Sequence, residues 1–413
     1  MKLSKYTVTF PLKNGKEIVY SSLSHAVVEM EHGSLKDKDI ELLRTLRIIH
    51  QNDDKEEMIK KLRKRKESDG HLAIWLYITM DCNMKCQYCY EATNENMRLS
   101  NTMSKETIFQ FVQWCSNYVH QNKIQDIFLT ITGGEPTLYL DNLEILVELL
   151  KRENLYSICK LSMISNGYGW SERTFLFIKD HMNSIQVTLD GAERIHNIRR
   201  IAKDGSKTFK PILRNLVRLV NDYKSLVVIR INIDRENVCY VDEVFEALEK
   251  YKLKNKVVVN IGDVLGEKIT ECYVFDKIIE IYDTQVKHGF EIVICETTPC
   301  PIANADWFVV DSRGKLYKCT GAIENEDMAI GSIFSEVCGY KIDGQESIES
   351  WQECLDCEVV GICVGGCEYR SKLNSVLGKK ICRKKYLLEV LKRQVLSSWK
   401  REQSVCTNNS EKI

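Results

Sequence analysis

Three cysteines lie close together in the segment 81–91, which reads DCNMKCQYCYE. Cys82, Cys86 and Cys89 have the spacing C-x3-C-x2-C, and thiolates this close can hold one metal cluster. An iron–sulfur cubane is normally held by four cysteine thiolates. A set of three with no obvious fourth would leave one iron open to a substrate or cofactor, as in catalytic zinc sites. A zinc site is the alternative, because short cysteine spacings often bind zinc.

A second group of cysteines lies in the last third of the chain. Gly314-x4-Cys319 follows Cys300, and the denser set has the spacing C-x2-C-x5-C-x3-C. Its members are Cys354, Cys357, Cys363 and Cys367, with Cys382 downstream. The chain has 17 cysteines, a lower density than that of disulfide scaffolds. In a reducing compartment such spacings indicate metal, and taken alone this group could bind zinc or iron.

Three further motifs follow apolar runs. The first is Gly133-Gly134-Glu135-Pro136, in which two glycines would let the backbone approach a ligand while the proline fixes the exit. The second is Ser165-Asn166-Gly167, and the third is Asp190-Gly191 followed by His196-Asn197-Ile198-Arg199-Arg200. Ordinary turns are the alternative for the first two motifs, and a structural ion pair is the alternative for Arg200. We expect His196 to be a hydrogen-bonded polar residue rather than a proton carrier.

Strand and helix patterns alternate from residue 71 onward. Strands are predicted at 72–78, 126–132, 160–165, 184–189, 226–233 and 257–261, and helices at 104–121, 141–152, 171–181, 206–223 and 241–251. Six such units predict an α/β fold with a parallel sheet curled into a partial (β/α)6 TIM-like barrel. Ligands of such sheets collect at the carboxyl ends of the strands, where the three cysteines and the three motifs lie.

The first 69 residues differ in character. Strands are predicted at 6–10, 17–20 and 26–30, with a hairpin turn at Asn14-Gly15, and helices at 35–50 and 54–66. The basic residues of the second predicted helix indicate either a solvated basic face or a docking surface for an acidic leader peptide. The order β-β-β-α-α is similar to the small winged-helix (RRE-like) element that captures leader peptides in ribosomal peptide maturases. An edge of that sheet could then add a strand from the leader.

Length and charge limit the remaining classes. A chain of 413 residues should hold two or three domains. Its 58 basic and 58 acidic residues give zero net charge, which favours neither nucleic acid nor an anionic membrane as a partner. No stretch approaches the apolar length of a membrane span, and residues 1–20 lack a signal-peptide core. These features predict a cytoplasmic protein.

The cysteine segment 82–89 resembles that of radical S-adenosylmethionine (radical SAM) enzymes, which have C-x3-C-x2-C with an aromatic residue before the last cysteine, here Tyr88. The resemblance implies that SAM binds the open iron of a [4Fe–4S] cluster and that one electron cleaves SAM to a 5′-deoxyadenosyl radical. The third motif is similar to the SLDG…HDxxR stretch of related maturases, with Asn197 replacing the usual Asp. The implied SAM-binding residues are Tyr88, Gly133, Gly134, Glu135, Pro136, Ser165, Asn166, Asp190 and Arg200.

The C-terminal cysteines resemble the seven-cysteine SPASM pattern, which implies two auxiliary [4Fe–4S] clusters and three clusters in all. One, here called the nearer auxiliary cluster, would use Cys295, Cys300, Cys319 and Cys367. The other, here called the farther auxiliary cluster, would use Cys354, Cys357, Cys363 and Cys382. If Cys295 points away, the nearer cluster keeps an open iron that could bind a substrate thiolate. The implied domains are 1–69 for leader binding, 70–290 for the radical SAM barrel, 291–386 for SPASM, and 387–413 for a C-terminal helix and tail.

The run from the second helix through segment 81–91 is similar to the entry of peptide maturases of the thioether-forming (sactipeptide and ranthipeptide) group. That resemblance implies a ribosomal precursor peptide with a leader and a cysteine-containing core, and a flavodoxin- or ferredoxin-type electron donor. The alternative is an anaerobic sulfatase-maturating enzyme, which makes formylglycine. Those enzymes place an Asp after the cysteine that matches Cys319, and this chain has Thr320. A non-catalytic scaffold that binds leader peptides is a third hypothesis, and no general base is assigned.

Overall fold

The structure is a computed structural model. It describes residues 2–31, 40–65, 67–89, 102–223, 225–264, 272–290, 300, 302, 304–323, 325–335, 351–367 and 382–410. The chain forms two compact units. Unit 1 comprises Met1–Glu67, Ile292–Ala303 and Asp343–Ile413, and unit 2 comprises Ser68–Glu291 and Asn304–Ile342.

Unit 1 begins with an antiparallel sheet of β1 (Thr7–Pro11), β2 (Lys16–Ser21) and β3 (Val27–Glu31). The strand order is β1-β2-β3, so β3 is an edge strand. Gly15 adopts φ +79° in the turn between β1 and β2, a conformation that glycine adopts without steric cost. The hairpin predicted at this turn is therefore confirmed.

Two helices follow, α1 (Ile40–Thr45) and α2 (Asp54–Lys64). The prediction of a helix over 35–50 is wrong beyond residue 45, because Arg47 adopts φ +55° and Ile49 forms a β-bridge with Leu3. Residues 35–39 lie outside the described residues. The chain leaves the helix there so that the next apolar side chains can be buried in unit 1.

The basic residues of α2 have two different roles. The Lys61 ammonium donates to the carbonyl oxygens of Ser22 and Leu23 at 2.9 and 2.6 Å, and burial lowers the pKa of Lys61 to about 8. The prediction of a wholly solvated basic face is therefore wrong for this residue. The exposed cations of the helix are Lys55, Lys60, Arg63 and Lys64.

The core of unit 1 joins the two ends of the chain. Helices α10 (Val360–Cys363) and α11 (Lys384–Ser410) supply its C-terminal part. One apolar cluster contains Tyr6, Leu23, Met58, Leu62, Trp351, Val360 and Val364, and another contains Phe10, Ile18, Tyr20, Val359, Ile362, Leu391 and Val395. The sequence had assigned these residues to separate domains. A segment of about 70 residues buries little apolar surface alone, and here it shares its core with the cysteine-rich segment.

Unit 2 is built on a nine-stranded sheet. Its strands are β4 (His71–Thr79), β5 (Asp126–Gly133), β6 (Cys159–Ser165), β7 (Ser184–Thr188), β8 (Leu226–Ile233), β9 (Val258–Asp263), β10 (Trp307–Val310), β11 (Lys315–Tyr317) and β12 (Gly331–Ser332). The order is β12-β11-β10-β4-β5-β6-β7-β8-β9. Strands β4 to β9 are parallel neighbours in chain order.

The six predicted parallel strands are confirmed to within two residues at each end. Strands β10 to β12 were not predicted, because β11 and β12 have only three and two residues and give no period. They continue the sheet beside β4. Curling of this sheet into a partial barrel remains a prediction.

Helices lie between the parallel strands. They are α3 (Lys105–Asn122), α4 (Leu140–Arg152), α5 (Glu172–His181), α6 (Glu193–Arg199), α7 (Phe209–Asp222), α8 (Asp242–Lys250) and α9 (Cys272–Lys287). Helices α6 and α9 were not predicted from the sequence, and α6 covers most of the third motif. Among the described residues, none of the helices has the length and apolar character that crossing a membrane requires.

Candidate active site at the carboxyl ends of the parallel strands

The segment with the first three cysteines, here called the cysteine loop, follows the carboxyl end of β4. Its backbone pairs with the end of α6 and the residues just after it, because the N–H groups of Lys85 and Gln87 donate to the carbonyl oxygens of Ile201 and Arg199 at 2.9 and 3.0 Å. The third motif therefore holds the cysteine loop through main-chain bonds. The sequence placed both segments at the same edge but did not predict this pairing.

Asp81 anchors the start of the cysteine loop. Its Oδ1 accepts from the Cys82 N–H at 2.9 Å and from the Lys203 ammonium at 3.1 Å. Its Oδ2 accepts from the Tyr139 hydroxyl at 3.1 Å. Sequence reasoning missed this residue, and the available signal was an acidic residue directly before the first cysteine.

The two glycines of the first motif are needed because the cysteine loop passes close to them. A Cβ at Gly133 would overlap the carbonyl oxygen of Thr79, and a Cβ at Gly134 would overlap that of Asp81. The Gly134 N–H donates to the Thr79 oxygen at 2.9 Å. Close packing against the neighbouring backbone is thus a further reason for these two glycines, and their close approach to a ligand remains a prediction. The 3₁₀ turn Pro136–Tyr139 then begins at its proline.

Glu135 joins the loops after β5 and β6. Its side chain is fully buried, and burial raises its pKa while the hydrogen bonds it accepts oppose that shift. Oε1 accepts from the hydroxyls of Thr137 and Ser165 at 2.5 and 2.8 Å, and Oε2 accepts from the Asn166 N–H at 2.7 Å. Both oxygens are used within the protein, so Glu135 positions the second motif.

The Cys82 sulfur has the surroundings of a metal-bound thiolate. It accepts from the Met84 N–H at 3.4 Å and from the Asn166 side-chain amide at 3.7 Å. Burial raises the pKa of the thiol to about 12, and the Met84 N–H opposes that shift. Such N–H groups stabilise a deprotonated sulfur on a cluster and tune its potential. The residues therefore fit the predicted [4Fe–4S] cluster.

Among the described residues, no group of three or more His, Cys, Asp or Glu side chains is arranged to hold a metal ion. A single ion needs ligands that converge on it, whereas the thiolates of a cubane each bind a different iron and need not converge.

Tyr88 lies at the centre of a polar network. Its hydroxyl donates to Asp190, and it accepts from the Arg200 guanidinium and from the Asn232 amide at 3.3 Å. Asp190 is fully buried, and its other oxygen accepts from the Asn232 N–H at 2.8 Å. Burial raises the pKa of Asp190, while the charge of Arg200 opposes this. The network joins Tyr88, Asp190 and Arg200, three of the residues implied to bind SAM, and adds Asn232.

Arg199 is the arginine of the third motif that forms a bidentate ion pair. Its guanidinium donates to both carboxylate oxygens of Asp234, at 2.9 and 2.5 Å, and lies 4.9 Å from the ring centre of Tyr88. The Arg200 guanidinium lies 3.6 Å from Asp190. Sequence reasoning considered an ion pair for Arg200 and missed the stronger one beside it.

The other two polar residues of the third motif have structural roles. Neither ring nitrogen of the buried His196 has a hydrogen-bond partner among the described residues, so the expectation of a hydrogen-bonded histidine is wrong. Burial lowers the pKa of His196 well below its usual value. Asn197, at the position of the usual Asp, accepts from the N–H groups of Thr208 and Phe209 at 3.0 Å and so caps the start of α7.

Four predicted cluster ligands are neighbours within unit 1. Burial raises the pKa of the Cys363 thiol, and negative charge on Cys354, Cys357 and Cys382 adds to that shift. Thiols that influence one another electrostatically lie close together. The four cysteines predicted for the farther auxiliary cluster therefore lie near one another in unit 1, and their binding of a cluster remains a prediction.

The nearer auxiliary cluster is only partly described. In unit 1 the Arg65 guanidinium donates to the Cys300 carbonyl at 2.6 Å, and its buried Nη1 has no partner among the described residues. An unused buried donor beside a predicted ligand fits an anionic cluster. Cys319 lies in unit 2 and Cys367 in unit 1, while Cys295 is outside the described residues. The ligand set of the nearer auxiliary cluster therefore remains a prediction, and so do both alternatives for Cys295, as a ligand or pointing away from the cluster.

Comparisons with known proteins agree with this site. Residues 76–248 match the model of the Radical SAM superfamily. The cysteine-type anaerobic sulfatase-maturating enzyme of Clostridium perfringens is 24% identical over 324 residues, which cover 69% of this chain and 85% of that protein. The structure of native anSMEcpe with bound AdoMet and Kp18Cys peptide is 21% identical with a TM-score of 0.63, covering 82% of this chain and 99% of that one. Streptococcus suis SuiB bound to precursor peptide SuiA is 15% identical with a TM-score of 0.57, covering 92% and 97%.

The matched region 76–248 contains the cysteine loop, the three motifs and strands β5 to β8. The chain carries a radical SAM domain and is an enzyme of the radical SAM superfamily. An enzyme of this superfamily uses SAM and a [4Fe–4S] cluster, and the surroundings of Cys82 fit the second of these. At identities below 25% the solved structures show the shared fold.

Proposed function

We propose that this chain is a peptide maturase that installs a crosslink in a ribosomally made precursor peptide, and that this crosslink is a cysteine thioether. When bound, SAM and its cluster supply a 5′-deoxyadenosyl radical that abstracts hydrogen from an unactivated carbon. The cysteine loop and its hydrogen bonds would hold both groups in place, and the buried network around Tyr88 would keep water away.

The reaction needs an electron acceptor. One electron would be consumed in cleaving SAM, and the hydrogen atom taken from a peptide carbon would end in 5′-deoxyadenosine, the product formed from the 5′-deoxyadenosyl radical. When a cysteine sulfur then bonds to that carbon, the thiol loses its proton and one electron leaves the peptide. Cys354, Cys357, Cys363 and Cys382 would hold an auxiliary cluster in unit 1, and such clusters span a wide range of potentials.

The observation that carries the proposal is the shared core of unit 1. It packs the cysteine-rich segment against a three-stranded sheet whose edge strand β3 is only partly buried. A leader peptide could add a strand to that edge, where backbone hydrogen bonds give affinity. The comparisons support this use. The match to the SuiB structure covers 92% of this chain. The match to the anSMEcpe structure covers 99% of that protein but only 82% of this chain, so that 18% of this chain has no counterpart there.

Sulfatase maturation is the second candidate. The identity to the Clostridium perfringens enzyme over 324 residues favours it. Thr320 argues against it, because a hydroxyl at the position of the family's Asp cannot act as a carboxylate base.

The experiment offers reconstituted full-length enzyme two substrates under anaerobic conditions with SAM and dithionite. One is a cysteine-containing precursor peptide, sought among the short open reading frames that flank the gene, and the other is a sulfatase peptide with its target cysteine. We expect the precursor to lose two hydrogen atoms and one free thiol, as measured by mass spectrometry and alkylation. Replacement of sulfur by oxygen in the sulfatase peptide, with the precursor unchanged, would overturn the proposal in favour of the second candidate.

A further inference from the structure

Strand β8 carries one arginine among apolar residues. Val227, Ile229, Ile231 and Ile233 are fully buried, while the alternating residues Val228, Arg230 and Asn232 are only half-buried. Side chains two residues apart on a strand share a face. We call the face with Arg230 and Asn232 the open face, and Asn232 links it to the active site through Tyr88.

The guanidinium of Arg230 is held in one orientation. Its Nε donates to the Asn232 Oδ1 at 3.0 Å, and its Nη1 donates to the Asn260 Oδ1 on β9. Gly262 pairs with Asn232 in the register of β8 and β9, and a Cβ at Gly262 would overlap the guanidinium carbon of Arg230 and both of its terminal nitrogens. The glycine therefore provides the space in which Arg230 lies.

The charge of Arg230 is not compensated. Among the described residues, no carboxylate lies within ion-pair distance of it, and its two hydrogen-bond acceptors are neutral amides. Its neighbours in the site differ, since Arg199 pairs with Asp234 and Arg200 lies 3.6 Å from Asp190. A half-buried cation without a counter-ion is costly unless a ligand supplies the charge.

We propose that Arg230, positioned by Asn232, Asn260 and Gly262, forms a carboxylate-binding subsite on the open face next to the candidate SAM site. The planar guanidinium fork suits a carboxylate, which it can bind through two parallel hydrogen bonds. The carboxylate is either that of the methionyl part of SAM or that of an acidic side chain of the peptide. The second source rests on the proposed function.

Two variants test the subsite in the cluster-loaded full chain. Arg230→Gln removes the charge, and Gly262→Ala keeps the charge but displaces the guanidinium. Charge-assisted hydrogen bonds contribute about 1.5–3 kcal/mol, so we expect both variants to weaken carboxylate binding about 10- to 100-fold. Lys250→Gln, an exposed cation at the end of α8, is the matched control and should leave affinity unchanged.

Equilibrium binding separates the two sources. If SAM supplies the carboxylate, both variants lose SAM affinity in the absence of peptide. If the peptide supplies it, SAM affinity is kept, and both variants weaken binding of a precursor with Asp and Glu but not of one with Asn and Gln. The SAM arm needs no peptide, so failure of the proposed function would not obscure it.

The contradicting result is a loss of stability with no loss of affinity. If both variants unfold at lower urea concentration but bind SAM and the acidic precursor as wild type does, Arg230 only ties β8 to β9. The subsite would then be rejected.

Discussion

The cysteine loop of unit 2 and the cysteine segment of unit 1 are held by different interactions. Around the loop, Asp81, Glu135 and Asp190 each accept hydrogen bonds from two or more neighbours. In unit 1, Cys357 and Cys363 pack against an apolar cluster built from the N-terminal strands and α11. The first region depends on polar groups within motifs, and the second on apolar residues from distant parts of the chain.

The largest expected difference between the two regions comes from replacing cysteines that are predicted to bind the clusters. Cys86→Ala should lower formation of 5′-deoxyadenosine about 1000-fold or more, because SAM loses the cluster that cleaves it. Cys357→Ala should keep that activity within about tenfold but make no crosslinked peptide. Chromatography of both products measures this, with Cys239→Ala as an exposed control. Equal loss of 5′-deoxyadenosine in both variants would remove the distinction between the two regions.

The polar network should be sensitive to loss of one charge. Asp234→Asn removes the buried carboxylate that pairs with the buried Arg199 and should lower the free energy of unfolding by about 3–5 kcal/mol. Glu236→Gln changes the exposed carboxylate on the same arginine and should cost less than about 1 kcal/mol. Urea unfolding of cluster-free protein measures both values. Similar effects of the two variants would show that burial of the pair does not matter.

The shared apolar core should respond at both ends of the chain. Met58→Ala should lower the free energy of unfolding by about 2–5 kcal/mol and speed hydrogen exchange at Trp351 and Val360, which share its cluster. Met58→Leu, which keeps the volume, should cost less than about 1.5 kcal/mol. Faster exchange confined to the N-terminal strands would contradict the shared core.

The difference between the regions also explains what the sequence could predict. The parallel strands and the loops that follow them were predictable, because period, glycine pairs and cysteine spacing are local signals. The pairing of the cysteine loop with the segment after α6, and the anchor at Asp81, depend on contacts between distant segments. The merging of both chain ends into unit 1 was missed for the same reason, since a single sequence gives no pairing between Met58 and Val360.

The smallest expected effect is a pH dependence from His196. Its folded-state pKa is depressed, so below about pH 6.5 the unfolded chain takes up a proton that the folded protein does not. Stability should therefore fall with decreasing pH by about 1.4 kcal/mol per unit from this residue. In urea unfolding between pH 7 and 5.5, the His196→Phe variant should lack the part of the pH dependence of stability that comes from His196. The exposed variant His120→Gln should keep it. An unchanged slope in His196→Phe would contradict a buried neutral imidazole.

The most direct test of the account follows one hydrogen atom. A precursor peptide deuterated at its candidate carbons is incubated anaerobically with reconstituted enzyme, SAM and reductant, and 5′-deoxyadenosine is analysed by mass spectrometry. We expect deuterium to appear in 5′-deoxyadenosine in step with formation of the crosslinked peptide. Unlabelled 5′-deoxyadenosine together with an unmodified peptide would contradict it.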